Sequence, residues 1–251
     1  MDNRQKTAVV VGATGAFGQA IVKTLLAEGL QVLAVARRQN SLDALKEQYP
    51  GIRTVAADIS EDSSIEIIHH AVTGPVQLVV HGPGVGVAGG ILVAPTATMV
   101  DAVNIKVGGF MRLCRAVDAY LEPHSRLVAI AGHYGLEPTA YAASAGVANA
   151  ALFNVVRQIS LALGPRGVTA HTIAPGPADT ERLRHVATAR AEQRGIEVEK
   201  VLEEMKAESS IGAFTTPEQV AWAVKTLLAV EADSMTGSTL MLDSGRRRGL
   251  P

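Results

Sequence analysis

Three glycines punctuate the run Val11-Gly12-Ala13-Thr14-Gly15-Ala16-Phe17-Gly18, which joins an apolar stretch to a helical one. A turn of this kind can hold a diphosphate. Side chains at Gly12, Gly15 or Gly18 would keep the backbone off the anion. The helix that opens around Thr14, Ala16 and Phe17 offers unpaired N–H groups and a partial positive charge. The pattern takes its meaning from position, directly after a buried strand at the start of a βαβ unit; elsewhere it would be a plain tight turn. Further on, Val35-Ala36-Arg37-Arg38 stands where binders of NAD place an acid to accept hydrogen bonds from ribose hydroxyls. An acid would repel a 2′-phosphate, whereas a guanidinium binds one bidentately. Arg37 and Arg38 therefore point to NADP(H) over NAD(H), although two arginines before a helix also suit plain surface charge. Asp58-Ile59 closes a third strand-like run, where the Asp58 carboxylate could accept a hydrogen bond from an adenine amino group. Asp58 also suits a helix cap, since Ser60 and Asp62 favour a helix start. After the fourth run, His81-Gly82-Pro83-Gly84 is small enough to let a cofactor lie against backbone.

These groups need a sheet to position them, and short apolar runs do alternate with helical spacing almost from end to end. Strands are expected at 7–11, 31–36, 53–57, 76–80, 126–131, 168–173 and 238–242, and helices at 19–27, 42–48, 63–71, 98–121, 141–163 and 217–230. Such alternation predicts an α/β fold of Rossmann type, a doubly wound parallel sheet with helices on both faces, in a single domain over 1–251. The charged stretch 181–213 interrupts the rhythm after the sixth strand. Val198, Val201, Leu202 and Met205 share one helical face within it, so it reads either as a substrate lid or as an ordinary surface helix pair.

Bulk properties set limits. The 251 residues are 47% hydrophobic and 19% charged with a formal net charge of −1, which allows one continuous core and argues against nucleic acid or an anionic membrane as the main partner. The one notable charge run, Arg246-Arg247-Arg248, reads as a solvated C-terminus in preference to a docking site. A lone cysteine, Cys114, excludes an intramolecular disulfide and suits a reducing compartment. The polar start lacks the apolar stretch of a signal peptide, and no uninterrupted apolar run is long enough to cross a bilayer. A cytoplasmic protein acting on a small-molecule substrate, without a metal, is expected.

Further landmarks fall in order: Asp101-Ala-Val-Asn104-Ile105, Tyr141-Ala-Ala-Ser144 opening a long helix, Pro175-Gly176-Pro177 with Thr180, and Thr236-Gly237 leading to Asp243-Ser244-Gly245. With the glycine turn and Asp58 they make the chain resemble the short-chain dehydrogenases/reductases over nearly its whole length. The resemblance implies a doubly wound sheet of seven strands, a loop at Pro175, Gly176 and Thr180 beside the nicotinamide, and commonly a homotetramer. It also implies a catalytic set of Asn, Ser, Tyr and Lys, of which only Asn104 and Tyr141 remain. The glycine turn is spaced more like the family's extended branch, although the chain length fits the shorter one. His81-Gly82-Pro83-Gly84 replaces the usual Asn-Asn-Ala-Gly. Ile130 runs into Ala131-Gly132-His133-Tyr134 without the usual serine, and the fourth residue after Tyr141 is Ala145 instead of lysine.

In the family mechanism the tyrosine hydroxyl protonates a carbonyl oxygen while NADPH delivers hydride to carbon. The lysine lowers the tyrosine pKa and binds the nicotinamide ribose. An unassisted tyrosine titrates near 10, and forgoing a drop of two or three pKa units is worth about 3–4 kcal/mol, mainly against oxidation, which needs a tyrosinate base. His133 stands where the serine would be or one place beyond. An imidazole titrating near 6.5 can donate a proton or polarise a carbonyl, although His133 and Tyr134 also read as exposed loop residues. Asn104, inside an apolar helix, is expected to make a specific buried contact, one possibility being main chain near Gly132. Lys106 points away from the helical face of Asn104 and is not expected to replace the lysine. These residues predict an NADP(H)-dependent oxidoreductase that reduces a carbonyl or imine with altered catalytic residues Tyr141, Asn104 and His133. The alternative is a nucleotide-binding protein of the same fold without net hydride transfer: a dehydratase, isomerase, cyclase or redox sensor.

Overall fold

A computed structural model describes residues 6–86 and 89–249; the first five residues of the polar start lie outside these. Seven parallel strands form one sheet in the order β3-β2-β1-β4-β5-β6-β7. They are β1 Thr7–Val11, β2 Gln31–Ala36, β3 Arg53–Ala56, β4 Val76–His81, β5 Leu121–Ile130, β6 Thr169–Pro175 and β7 Thr239–Leu242. Every residue of β1 is buried, as its unbroken apolar run requires of a strand covered on both faces.

Helices α1 (Ala16–Ala27) and α9 (Pro217–Thr226) pack one face, where Ile21, Leu25, Val220 and Val224 meet Val10 and Val80. The other face is covered by α3 (Ser64–Ala71), α5 (Gly109–Val117) and α6 (Ala143–Leu163), through Ile68, Phe110, Leu113, Leu152 and Val156. Burying side chains of this size contributes roughly 1.5–3 kcal/mol each. By length and composition α6 would also suit a membrane span, but Ala148, Leu152 and Val156 on it are buried in the core. Strand order reverses between β1 and β4, which opens a crevice at their carboxyl ends.

Of the boundaries that depart from the sequence pattern, three bear on the site. The helix expected over 98–121 is broken into α4 (Thr96–Val103), a π-turn at Asn104–Gly108 and α5. A π-turn takes up one extra residue and so changes which face each side chain presents. It sits where the helix presses on the sheet: a Cβ on Gly109 would lie 2.9 Å from the His81 ring and 3.1 Å from Ile59. The strand expected to begin at 126 starts instead at Leu121, which pairs with Val76. Tyr141 precedes the long helix, which begins at Ala143.

The stretch 181–213 folds as α7 (Glu181–Arg194) and α8 (Val198–Ala207). These bury Leu183, Ala187, Val201 and Met205 against each other, as the shared helical face anticipates. The C-terminal arginines are not simply solvated. Arg246 is 7% exposed, donates to the Met205 carbonyl at 2.9 Å and pairs with Glu208, so the chain end ties α8 to the end of β7.

Candidate functional site

The crevice at the strand-order reversal is a cleft of about 660 Å³ that runs from the glycine turn to Tyr141. Its first wall is built from backbone. Gly12 has φ +82°, and a Cβ there would lie 3.0 Å from the main chain of Gly82 and Pro83. Side chains at this point would wedge apart the loops after β1 and β4. A Cβ on Gly18 would fall 2.2 Å from the Gly12 carbonyl oxygen, so the helix can begin this close to the turn only with glycine. Gly15 caps α1 with no side-chain hydrogen bond, which leaves the first-turn N–H groups facing the cleft past Thr14, Ala16 and Phe17. A diphosphate fits this cradle by shape and by charge. Gly82 and Gly84 line the opposite side.

At the far end of the cradle, Ala36 is buried while Arg37 and Arg38 are exposed beyond it. The Asp58 carboxylate accepts from the Ser60 N–H at 3.0 Å and the Ser60 hydroxyl at 2.7 Å. Burial works to raise its pKa, but those bonds and the charges of Arg37 and Arg112 outweigh it and hold the carboxyl below its ordinary value. Asp58 is therefore an acceptor in a local turn, and the helix after it starts only at Ser64. The Ile59 side chain, 4% exposed, belongs to the core beneath α5, so only its backbone can meet a ligand.

The second wall carries Tyr141. Its hydroxyl lies 2.7 Å from that of Tyr134, and the two rings stand nearly perpendicular at 85°. Burial, followed by Tyr141 itself, raises the pKa of Tyr134, which keeps that phenol protonated. The Arg190 guanidinium stacks on the Tyr141 ring 3.4 Å from its centroid, and its Nη2 is buried without a partner among the described residues.

His133 is not the exposed loop residue, nor the ready proton donor, that an unperturbed imidazole would be. It is 2% exposed, and burial, together with the Arg246 charge, pushes it down to about 4, so it is neutral near pH 7. It stays in the cleft wall and hydrogen-bonds the Pro175 backbone. Beside Gly132 the wall is closed from α6. A Cβ on Gly132 would lie 2.9 Å from Asn149 Nδ2, and Asn149, 5% exposed, has a buried Oδ1 with no partner among the described residues. Neither the spacing nor the family pattern marks Asn149. Pro175 and Gly176 line the cleft, and a Cβ on Gly176 would strike Asp243 at 2.9 Å. Thr180 lines it too, while its hydroxyl caps α7 by accepting from the Leu183 N–H.

The structure corrects the reading of Asn104 and Lys106. Asn104 turns away from the cleft: its Nδ2 donates to the Ser60 carbonyl at 3.0 Å and its Oδ1 accepts from Arg112 at 2.9 Å. Through these bonds it ties the π-turn to the loop after β3. Lys106 does lie on another face, as residues two apart on a helix must, but that face is the one lining the cleft. The Lys106 side chain is 4% exposed and donates to the Ile130 carbonyl at 2.7 Å. Burial, with the charge of Arg182 added, pushes its ammonium down to about 7. Beneath it His81, fully buried and held neutral at about 3 by burial and then by Lys106, hydrogen-bonds the Ile105 carbonyl at 3.0 Å and so props the π-turn.

Across the mouth, α7 contributes Glu181, Arg182, Leu183 and Val186 to the lining, and α8 contributes Met205. Arg182 reaches over the cleft to the Val85 carbonyl.

Comparison with known proteins agrees with this geometry. A family model described as enoyl-(acyl carrier protein) reductase matches residues 12–247. The chain is 26% identical over 256 residues to the short-chain reductase protein NovJ of Streptomyces niveus, covering 97% of this chain and 95% of that protein. It is 25% identical over 252 residues to the 3-oxoacyl-[acyl-carrier-protein] reductase FabG of Escherichia coli, covering 98% of each. Among solved structures, YwfH, described as an NADPH dependent reductase involved in bacilysin biosynthesis, superposes with a TM-score of 0.88 at 19% identity over 98% of this chain and all of that one.

Proposed function

The chain belongs to the short-chain dehydrogenase/reductase family, and from that premise we propose that it is an NADP(H)-dependent reductase of a carbonyl or imine group. The observation that carries the reading is the single cleft joining an anion cradle at Gly12–Gly18 to the Tyr141 hydroxyl. NADP(H) is preferred because Arg37 and Arg38 are exposed beyond β2 where an acid would favour NAD, and the NADPH dependence of YwfH is in keeping with this. When bound, the dinucleotide supplies the hydride. Gly12, Gly15, Gly18 and the α1 N-terminus would hold its diphosphate, Asp58 its adenine, and Gly82, Pro83, Gly84, Pro175, Gly176 and Thr180 its nicotinamide half.

The chain's own contribution to the chemistry is a proton at the Tyr141 oxygen. Tyr141 donates it to the substrate oxygen or nitrogen as the carbon is reduced. Tyr134, kept protonated by burial, donates a hydrogen bond to the resulting tyrosinate. Neutral His133 shapes the wall and does not supply the proton. Stretch 181–213 acts as a substrate lid, since α7 and α8 line the mouth and Arg246 anchors them. Val147 and Leu161, exposed on α6, suit the burial of that helix against a second copy in a homo-oligomer, which light scattering on the purified protein tests.

The test of function is transfer of label. NADPH deuterated at the transferable position is incubated with the protein and a panel of ketones, enones and cyclic imines. Deuterium in a product is the expected result. Tight nucleotide binding with no transfer to any substrate class would instead favour a dehydratase, isomerase, cyclase or redox sensor.

A further inference from the structure

Among the described residues Lys106 has no counter-ion. The residue is 4% exposed, and its ammonium donates to the neutral Ile130 carbonyl. The charged group that acts on it is Arg182, of the same sign, and the ring beneath it is neutral His81. A buried ammonium in such company is costly. An ammonium has three N–H donors, and one is spent on Ile130, so two remain on the wall of the cleft. That wall is the one Tyr141 and Ala145 also line. The π-turn that carries Lys106 is braced by His81 through Ile105 and by Asn104 through Ser60.

We propose that Lys106 is the cationic ligand-binding residue of the site: its two spare donors hold hydroxyl oxygens on the ribose at the nicotinamide end of the dinucleotide. The proposal rests on the reading of the cleft as a dinucleotide site. It places the cation on the helix after β4 instead of on the helix that follows Tyr141, where Ala145 carries no charge. The π-turn carries it two positions from Asn104, on the face that lines the cleft.

A binding role and a scaffolding role predict opposite effects on the free protein. Lys106→Met removes an uncompensated buried charge and keeps the apolar stem, so it raises the thermal unfolding midpoint of the ligand-free protein. It also weakens NADPH, followed by its own fluorescence, by about tenfold or more, the scale of lost charge-assisted hydrogen bonds. Lys106→Gln, which keeps a donor and loses the charge, falls between the two in affinity. NADPH binding by Lys106→Met equal to wild type overturns the proposal. So does a lowered midpoint in both variants, which would make Lys106 a strut for Ile130. If the wild-type protein itself binds no NADPH, the dinucleotide reading fails, and the proposal with it. If wild type binds and the variants bind equally, only the proposal fails.

Discussion

The hydroxyls of Tyr134 and Tyr141 lie 2.7 Å apart, so the proton at the end of the cleft is shared between two phenols. A half-buried, protonated Tyr134 can stabilise negative charge on Tyr141 at the moment the proton leaves. Tyr141→Phe should therefore cost about a hundredfold or more in the rate of single-turnover reduction, the scale of a lost general acid. Tyr134→Phe should cost about fivefold, the scale of one hydrogen bond, with NADPH affinity unchanged. A larger loss in Tyr134→Phe than in Tyr141→Phe would mean that Tyr134, and not Tyr141, faces the substrate.

Cofactor choice depends on Arg37, which is exposed at the end of β2 and close enough to influence Asp58. Arg37→Ala should weaken NADPH by about tenfold to a hundredfold and leave NADH nearly unchanged, since a charge-assisted bond to phosphate is worth about 1.5–3 kcal/mol. The wild-type preference should also shrink as salt is raised. Equal losses for both nucleotides in a titration would remove the phosphate role.

A side chain added at Gly132 should crowd the cleft wall. With Asn149 Nδ2 only 2.9 Å from the position of a Cβ, Gly132→Ser is overpacked and should destabilise the protein by about 1–3 kcal/mol. Pairing it with Asn149→Ala should recover most of that loss in denaturant melts. A fully stable single variant would show that Asn149 moves aside freely.

Three buried histidines set the acid limit. His133 and His171 are held at about 4 and His81 at about 3, in each case chiefly by burial, against an ordinary value of 6.5. Their folded pKa values are depressed, so the unfolded chain binds more protons between about 4 and 6.5, and stability falls as pH drops through that window. Where all three differ fully, the slope approaches about 4 kcal/mol per pH unit. Denaturant titrations across the window should show this decline. His133→Gln should flatten it by about a third, because it removes one of the three sites.

Much of this architecture is legible in the sequence because it is written in local patterns. An unbroken apolar run such as Thr7–Val11 allows little but a fully buried strand, and Gly12 and Gly18 sit where any Cβ would meet backbone. Lys106 was not legible, since spacing separates its face from that of Asn104 without saying which of the two meets the cleft. Asn104 matches a motif by letter, yet its partners, Ser60 and Arg112, are brought to it by a loop and a turn of helix beyond the reach of spacing arguments. His133 is buried among long-range contacts that include the chain end: Arg246 contributes to its depression, and the fold-back of that arginine onto Met205 depends on a helix 41 positions away.

A nicotinamide dinucleotide that rests its diphosphate on the glycine turn must be sensitive to charge at Gly15. Its φ of −79° suits any residue, and the nearest atom to an added Cβ is a carbonyl oxygen at 3.5 Å, so Gly15→Asp should fold normally while placing a negative charge in the cradle. Fluorescence titration should show saturable NADPH binding by the wild-type protein and none by Gly15→Asp at unchanged thermal stability. Indistinguishable binding curves, or no affinity of the wild type for either nicotinamide nucleotide, would contradict the account.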